Sequence, residues 1–176
     1  MAIHRFLNPS TMPATRGYTH VVETAGPSRT IYLSGQLGMT PDGKFAGAPG
    51  DFRAQAEQTF VNLKNALAAV GADFTHVVKL NNYFTDISHL GVFREVRDRF
   101  VDTAAPPAST AIAISTLARP GALIEVEAIA VIPAKAASPA SGSGAAARGK
   151  PAKKVVAKAK VTAKAKTKAK ASRKRR

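Results

Sequence analysis

Charge is distributed along this chain in a way that confines its fold. All 11 Asp and Glu of the 176 residues lie before residue 135, together with 11 of the 26 Lys and Arg. Residues 135–176 carry the remaining 15 basic residues, no acid and no aromatic side chain. Such a segment has no apolar bulk whose burial would offset its ordering entropy. Anything compact must therefore be made from residues 1–134, whose formal charges cancel. The expected organisation is a 1–134 body and a disordered 135–176 linker and tail, joined near Pro133 through the flexible run Ser138-Pro139-Ala140-Ser141-Gly142.

Within the body, the apolar pattern alternates between two periods. Residues 21–23 and 29–34 read as strands around a Gly26-Pro27 turn. Residues 51–70 read as an amphipathic helix, with Phe52, Ala56, Phe60 (or Thr59), Leu63, Leu67 and Val70 on one face and Gly71 ending it in a left-handed cap. Residues 76–84 read as a strand. A second helix is expected over 89–102, with Ser88 as its N-cap and Leu90, Phe93, Val96 and Phe100 inward. Pro106-Pro107 stops that helix, and strands follow at 109–115 and 122–132.

The order is β-β-α-β-α-β-β, an α+β domain with a mixed sheet and two helices on one face. Such a layer leaves its other sheet face open. Ile112, Ile114, Ile124, Val126 and Ile129 on the last two strands argue against a wet face, so oligomerisation is expected.

Several chemistries are excluded by residue type. With no cysteine there are no disulfides or thiolate metal sites, and the four histidines are scattered singly, so no metal site is expected. No phosphate loop, His-Glu-x-x-His or Gly-x-Ser-x-Gly motif occurs. The start, Met1-Ala2-Ile3-His4-Arg5-Phe6, lacks a secretory pattern, and no apolar run approaches bilayer length. The expectation is a protein of the cell interior, cytoplasmic, with no membrane partner.

Six stretches follow one another along the body: Gly17-Tyr18-Thr19-His20, Ile31-Tyr32-Leu33-Ser34-Gly35-Gln36, the helix from Gln55 to Leu63, the strand from Val77 to Asp86, Pro106-Pro107-Ala108-Ser109-Thr110, and Ile124-Glu125-Val126-Glu127-Ala128-Ile129-Ala130. Together they resemble the RidA/YjgF family, over about residues 5–133. The resemblance implies a chorismate-mutase-like fold, a homotrimer with small-molecule clefts between subunits, and hydrolysis of reactive enamines and imines to 2-oxo acids and ammonia. It implies no cofactor.

Carried over residue by residue, the resemblance makes Glu127 the water-orienting group, general acid/base or water anchor. Tyr18, Ser34, Gly35, Ser109 and Thr110 become the substrate-binding wall. Each position also has a plainer reading: Glu127 as a polar residue at a subunit edge, Tyr18 as a half-buried interface tyrosine, Gly35 as a site of close backbone approach. The chain departs from deaminating members at one point. They carry Arg directly after the Pro-Ala of the C-terminal signature, and this chain has Ser109. A hydroxyl does not replace a bidentate guanidinium on a carboxylate, a loss on the order of 2–4 kcal/mol. Arg94 and Arg119 are the candidate substitutes; Arg94, Arg97 and Arg99 otherwise read as a solvated helix face, interleaved by Glu95 and Asp98. The alternative to an enzyme is a ligand-binding module with an altered or idle cleft. Family members have also been described as ribonucleases.

The tail suggests a second partner. Lys153, Lys154, Lys158, Lys160, Lys164, Lys166, Lys168, Lys170, Arg173, Lys174, Arg175 and Arg176 form a cationic run suited to phosphates of DNA or RNA and not to reading bases. Such a tail would make the protein nucleoid-associated.

Overall fold

The computed structural model describes residues 4–134. The chain runs β1 (His4–Leu7), β2 (Val21–Thr24), β3 (Ser28–Leu37), α1 (Phe52–Ala69), β4 (Val77–Phe84), α2 (Leu90–Arg97), β5 (Ala108–Ala113) and β6 (Ile124–Pro133). Short 3-10 turns, Phe74–His76 and Ile87–His89, lead into β4 and α2. The expected order holds, with one strand added before it. β1 pairs antiparallel with β2 as a separate two-stranded ribbon. Its register is made by a partner some 14 residues away in sequence, which the four-residue pattern of β1 alone does not announce.

The main sheet has the order β3-β6-β4-β5. β6 is antiparallel to both neighbours, whereas β4 and β5 run parallel, joined by the crossover that α2 supplies. The sheet is thus mixed, with both helices on one face, as expected.

Helix α1 starts where Asp51 accepts a hydrogen bond from the Ala54 amide, and ends before Gly71 at φ 74°. Phe52, Ala56, Phe60, Leu63 and Leu67 are buried on its inner face. Val70, expected among them, is exposed at the cap, because the helix has already stopped turning there. Gln55 is buried as well, and staples α1 to the sheet. Its side chain donates to the Gly121 carbonyl and accepts from the Leu123 amide, each at 3.0 Å. At Gly38 the strand end presses on this turn so closely that a Cβ would lie 2.4 Å from the Gln55 backbone.

Helix α2 is shorter than expected, ending at Arg97 and not near residue 102. Ser88 is not its cap. Asp86 accepts from the Ser88 amide and caps the 3-10 turn instead, and α2 starts at His89 without a side-chain cap. Beyond Arg97 the chain tightens through Phe100 and Val101 amides bonding back to the Arg97 carbonyl. Phe93 and Val96 are buried as the helical spacing required, with Leu90 and Phe100 packed against the same core.

The core lies between helices and sheet: Phe60, Leu63, Leu67, Leu80, Phe84, Phe93, Val96, Ile124 and Val126. Strand alternation explains which residues it takes. In β4, Leu80, Asn82 and Phe84 are buried while Lys79, Asn81 and Tyr83 are only half-buried; in β6, Ile124, Val126, Ala128 and Ala130 are buried while Glu125, Glu127 and Ile129 are only half-buried. Ile124 and Val126 therefore belong to the helix-covered core, not to the open face assigned to them from sequence. The open face carries Tyr32, which is 77% exposed, and Ile112, 43% exposed.

The ribbon is tied to this sheet by His4, whose Nε2 donates to the Val131 carbonyl at 3.1 Å while its Nδ1 is buried without a partner. Burial holds the His4 pKa below its usual 6.5, overcoming the favourable carbonyl and reinforced by His76 nearby. A folded-state pKa below the unfolded one means that stability is intact above pH 6.5 and is lost as pH falls through the lowered value. The thermal midpoint should drop between pH of about 7.5 and about 5, and His4→Asn should flatten that slope. An equal slope in the variant would show that other groups set it.

Candidate functional site

The sequence-derived site residues fall into two groups, one on each side of the sheet. On the open face, Glu127 of β6 is in register with Asn81 of β4. Its Oε2 accepts from Asn81 Nδ2 at 3.3 Å and from the Tyr83 hydroxyl at 3.2 Å. Glu127 and Asn81 border a hollow of about 260 Å³, lined also by Tyr32, Leu33, Ser34, Ala128 and Ile129. Tyr83 is kept protonated: desolvation first, then the charge and hydrogen bond of Glu127 and the charge of Glu125, raise its pKa above 10.0. Ser34 lies across the sheet from Glu127, with Gly35 next to it. At Gly35 a Cβ would fall 1.8 Å from Glu125 Oε1, so the missing side chain is what lets that carboxylate lie flat over β3.

Thr110 also belongs to the open face, where its hydroxyl accepts from Lys79 Nζ at 2.6 Å. Desolvation lowers the Lys79 pKa. Ser109, one residue earlier, points the opposite way, since successive strand side chains alternate. Its hydroxyl accepts from Asn82 Nδ2 at 2.9 Å on the helix side. There it lines a second hollow of about 110 Å³ with Arg16, Tyr18, Leu90, Phe93, Arg94, Arg97 and Ala111. Tyr18 is brought to Ser109 by its neighbour. Thr19 is buried, its hydroxyl donating to the Pro106 carbonyl at 2.6 Å and its amide to Pro107 at 3.3 Å, which straps the 16–20 loop to the start of β5.

One expectation is overturned here. Arg97 is not on a solvated face. It is 4% exposed, bonds Asp98 through Nε and Nη2 at 2.8 and 2.6 Å, and lies 5.7 Å over the Phe93 ring. Gly17, at φ 75°, closes over it with no room for a Cβ, which would sit 2.1 Å from Arg97 Nη2. Arg99 does reach an exposed carboxylate, Glu57.

Sequence reasoning did not single out Asn81, Tyr83, Arg16 or the structural role of Arg97. Alternation along β4 places Asn81 and Tyr83 together, but only the β4–β6 register brings them to Glu127. Among the described residues the histidines are engaged separately: His4 with Val131, His20 with Pro13, His76 with Asp73 and His89 stacked on Phe52. No helix among them is long and apolar enough to cross a membrane. The basic positions from Lys153 to Arg176 lie outside the described residues.

Residues 9–132 match the family model described as Endoribonuclease L-PSP. The chain belongs to the RidA/YjgF family. Protein DfrA of Myxococcus xanthus is 40% identical over 114 residues, covering 65% of this chain and 84% of that protein. The 2-iminobutanoate/2-iminopropanoate deaminase of Rattus norvegicus is 37% identical over 131 residues, covering 73% and 90%. Among solved structures, a protein of unknown function in the conserved Rid family from Yersinia pestis superposes with a TM-score of 0.66 at 31% identity, over 74% of this chain and all of that one. The RidA/YjgF match covers the folded body, in which both hollows lie.

Proposed function

We propose that this protein hydrolyses small 2-imino and enamine acids to 2-oxo acids and ammonia, in clefts where protomers of a homotrimer meet. The observation that carries the reading is the Glu127 carboxylate, fixed by two donors beside a hollow on an otherwise uncovered sheet face. Water placed there attacks the imine carbon as Glu127 takes its proton. Glu127 returns that proton to the nitrogen of the tetrahedral intermediate, the hydroxyl proton passes to the same nitrogen as the C–N bond breaks, ammonia leaves, and the carbon keeps the oxygen as a ketone. An enamine first gains a proton at its β-carbon and loses one from nitrogen to become the imine. Every atom comes from substrate and water, so no cofactor is needed.

In one protomer the Tyr18–Ser109 hollow and the Glu127 hollow open on different sides of the sheet. A neighbouring subunit seated on the open face would bring one of each kind together, and would cover Tyr32 and Ile112. The rat relative's name supports the reaction class. The test is release of ammonia from freshly generated 2-aminoacrylate by the full chain. A rate no higher than that of buffer would end this reading.

A second reading is favoured by the charge segregation. The 15 basic residues of 135–176 would bind DNA or RNA through their charge, holding a cytoplasmic enzyme at the nucleoid. Three arms per trimer would act together. A chain ending at Pro133 should lose DNA binding, and the full chain, engaging about 8 phosphates, should show a log–log salt slope near about −7. Binding that survives truncation or ignores salt would remove the arm from the mechanism.

A further inference from the structure

Position 109 poses a chemical problem that the second hollow answers. A 2-imino acid brings a carboxylate, and the β5 wall offers it only the Ser109 hydroxyl. That hydroxyl already accepts from Asn82, so its own proton is left for a ligand. The facing wall is made by α2 and the loop before β2, and it is strongly cationic: Arg16, Arg94 and Arg97 all line the hollow.

These three arginines are not equivalent. Arg97 is neutralised by Asp98 and immobilised beneath Gly17. Its charge is committed, and it serves as a post that supports the loop carrying Arg16 and Tyr18. Arg94 lies one helical turn before it, half-buried, on the face that borders the hollow. The acids around α2 are taken: Glu95 pairs with Arg53, Asp98 with Arg97, and Glu57 with Arg99. Among the described residues neither Arg94 nor Arg16 has an ion-pair partner. Two unmatched guanidiniums beside a tyrosine and a free hydroxyl proton form a site for an anion, because a guanidinium fork matches a carboxylate in charge and geometry.

Resting on the imine-hydrolase reading, we propose that Arg94, seconded by Arg16, is this protein's carboxylate clamp, supplied by helix α2 in place of the absent arginine at position 109. The guanidinium reaches the anion from the helix wall and Ser109 donates from the strand wall. A clamp moved across the hollow, with a small residue left on β5, favours 2-oxo and 2-imino acids and discriminates against their neutral amides.

The test separates binding from chemistry. Binding of 2-oxobutanoate to the full-length protein is followed by ligand-observed NMR, with 2-oxobutanamide as the uncharged control, alongside ammonia release from 2-aminoacrylate. Arg94→Gln should weaken 2-oxobutanoate at least about tenfold and leave the amide unchanged, with KM raised more than kcat falls. Adding Ser109→Arg to Arg94→Gln should restore acid binding to within about threefold of the parent, which loss of folding could not mimic. Unchanged binding in Arg94→Gln would overturn the clamp even if the parent hydrolyses the imine. Arg94-dependent acid binding without any hydrolysis would keep the clamp and end the enzymatic reading. A parent that binds neither acid nor amide would overturn the clamp outright.

Discussion

Glu127→Gln should lower ammonia release from 2-aminoacrylate by about 10²–10⁴-fold, the range lost with a positioned general base. The substitution keeps the side chain's shape and an oxygen able to accept from Asn81 and Tyr83. What it removes is the ability to take a proton from water. Tyr83 cannot stand in as a base, because its phenol is held protonated by burial and by the neighbouring glutamates. Glu127 is half-buried on the open sheet face and forms no part of the helix-covered core, so the thermal midpoint should move little. Steady-state rates on variant and parent, with melting curves beside them, decide the matter. A parental rate in the variant would reduce Glu127 to a polar residue at a subunit edge.

Phe60→Ala should cost about 3–5 kcal/mol, the range for emptying an aromatic site in a closed core. Phe60 is fully buried on α1. Its ring stacks on Phe100 at 5.1 Å between centroids and meets Phe74 and Phe93 at 5.9 Å each. Those rings come from the turn before β4, from α2, and from the segment just after α2, so one side chain of α1 ties both ends of the β4–α2 stretch to the first helix. The surroundings cannot collapse into the gap, because Gln55 and Gly38 pin α1 against the sheet one turn away. Since domains of this size have only about 5–15 kcal/mol in total, the loss is a large share. Chemical denaturation should show a lower midpoint with an unchanged slope. A loss below about 1 kcal/mol would mean that the aromatic cluster repacks freely.

Local signals told most of the backbone story. Helix α1 was legible because its cap, its apolar stripe and its terminal glycine all lie within some twenty residues and agree. β3, β4 and β6 were legible from β-branched runs. The failures share a cause. β1 exists only because β2 hydrogen-bonds to it, α2 ends early because its carbonyls are claimed by the tightening chain, and Arg97 is buried because Asp98 and Gly17 meet over it. None of these partners can be identified from the residue itself.

The site divides along the same line. The resemblance to RidA/YjgF sequences marked Glu127, Tyr18 and Ser109 and the missing arginine, and the chemistry follows from residue type, since a hydroxyl and a guanidinium differ wherever they are placed. That Ser109 and Thr110 face opposite sides of the sheet was implicit in strand alternation, but which side belonged to the helices was not. The cross-strand register decided that Asn81 and Tyr83 hold Glu127, and the tertiary fold decided that Arg94 and Ser109 line one hollow. Sequence determined which chemical groups are available and roughly which elements carry them, because propensity and periodicity act over a few residues. Only the tertiary structure decided which groups meet, because contacts between strands and helices are settled by the burial of the whole core at once.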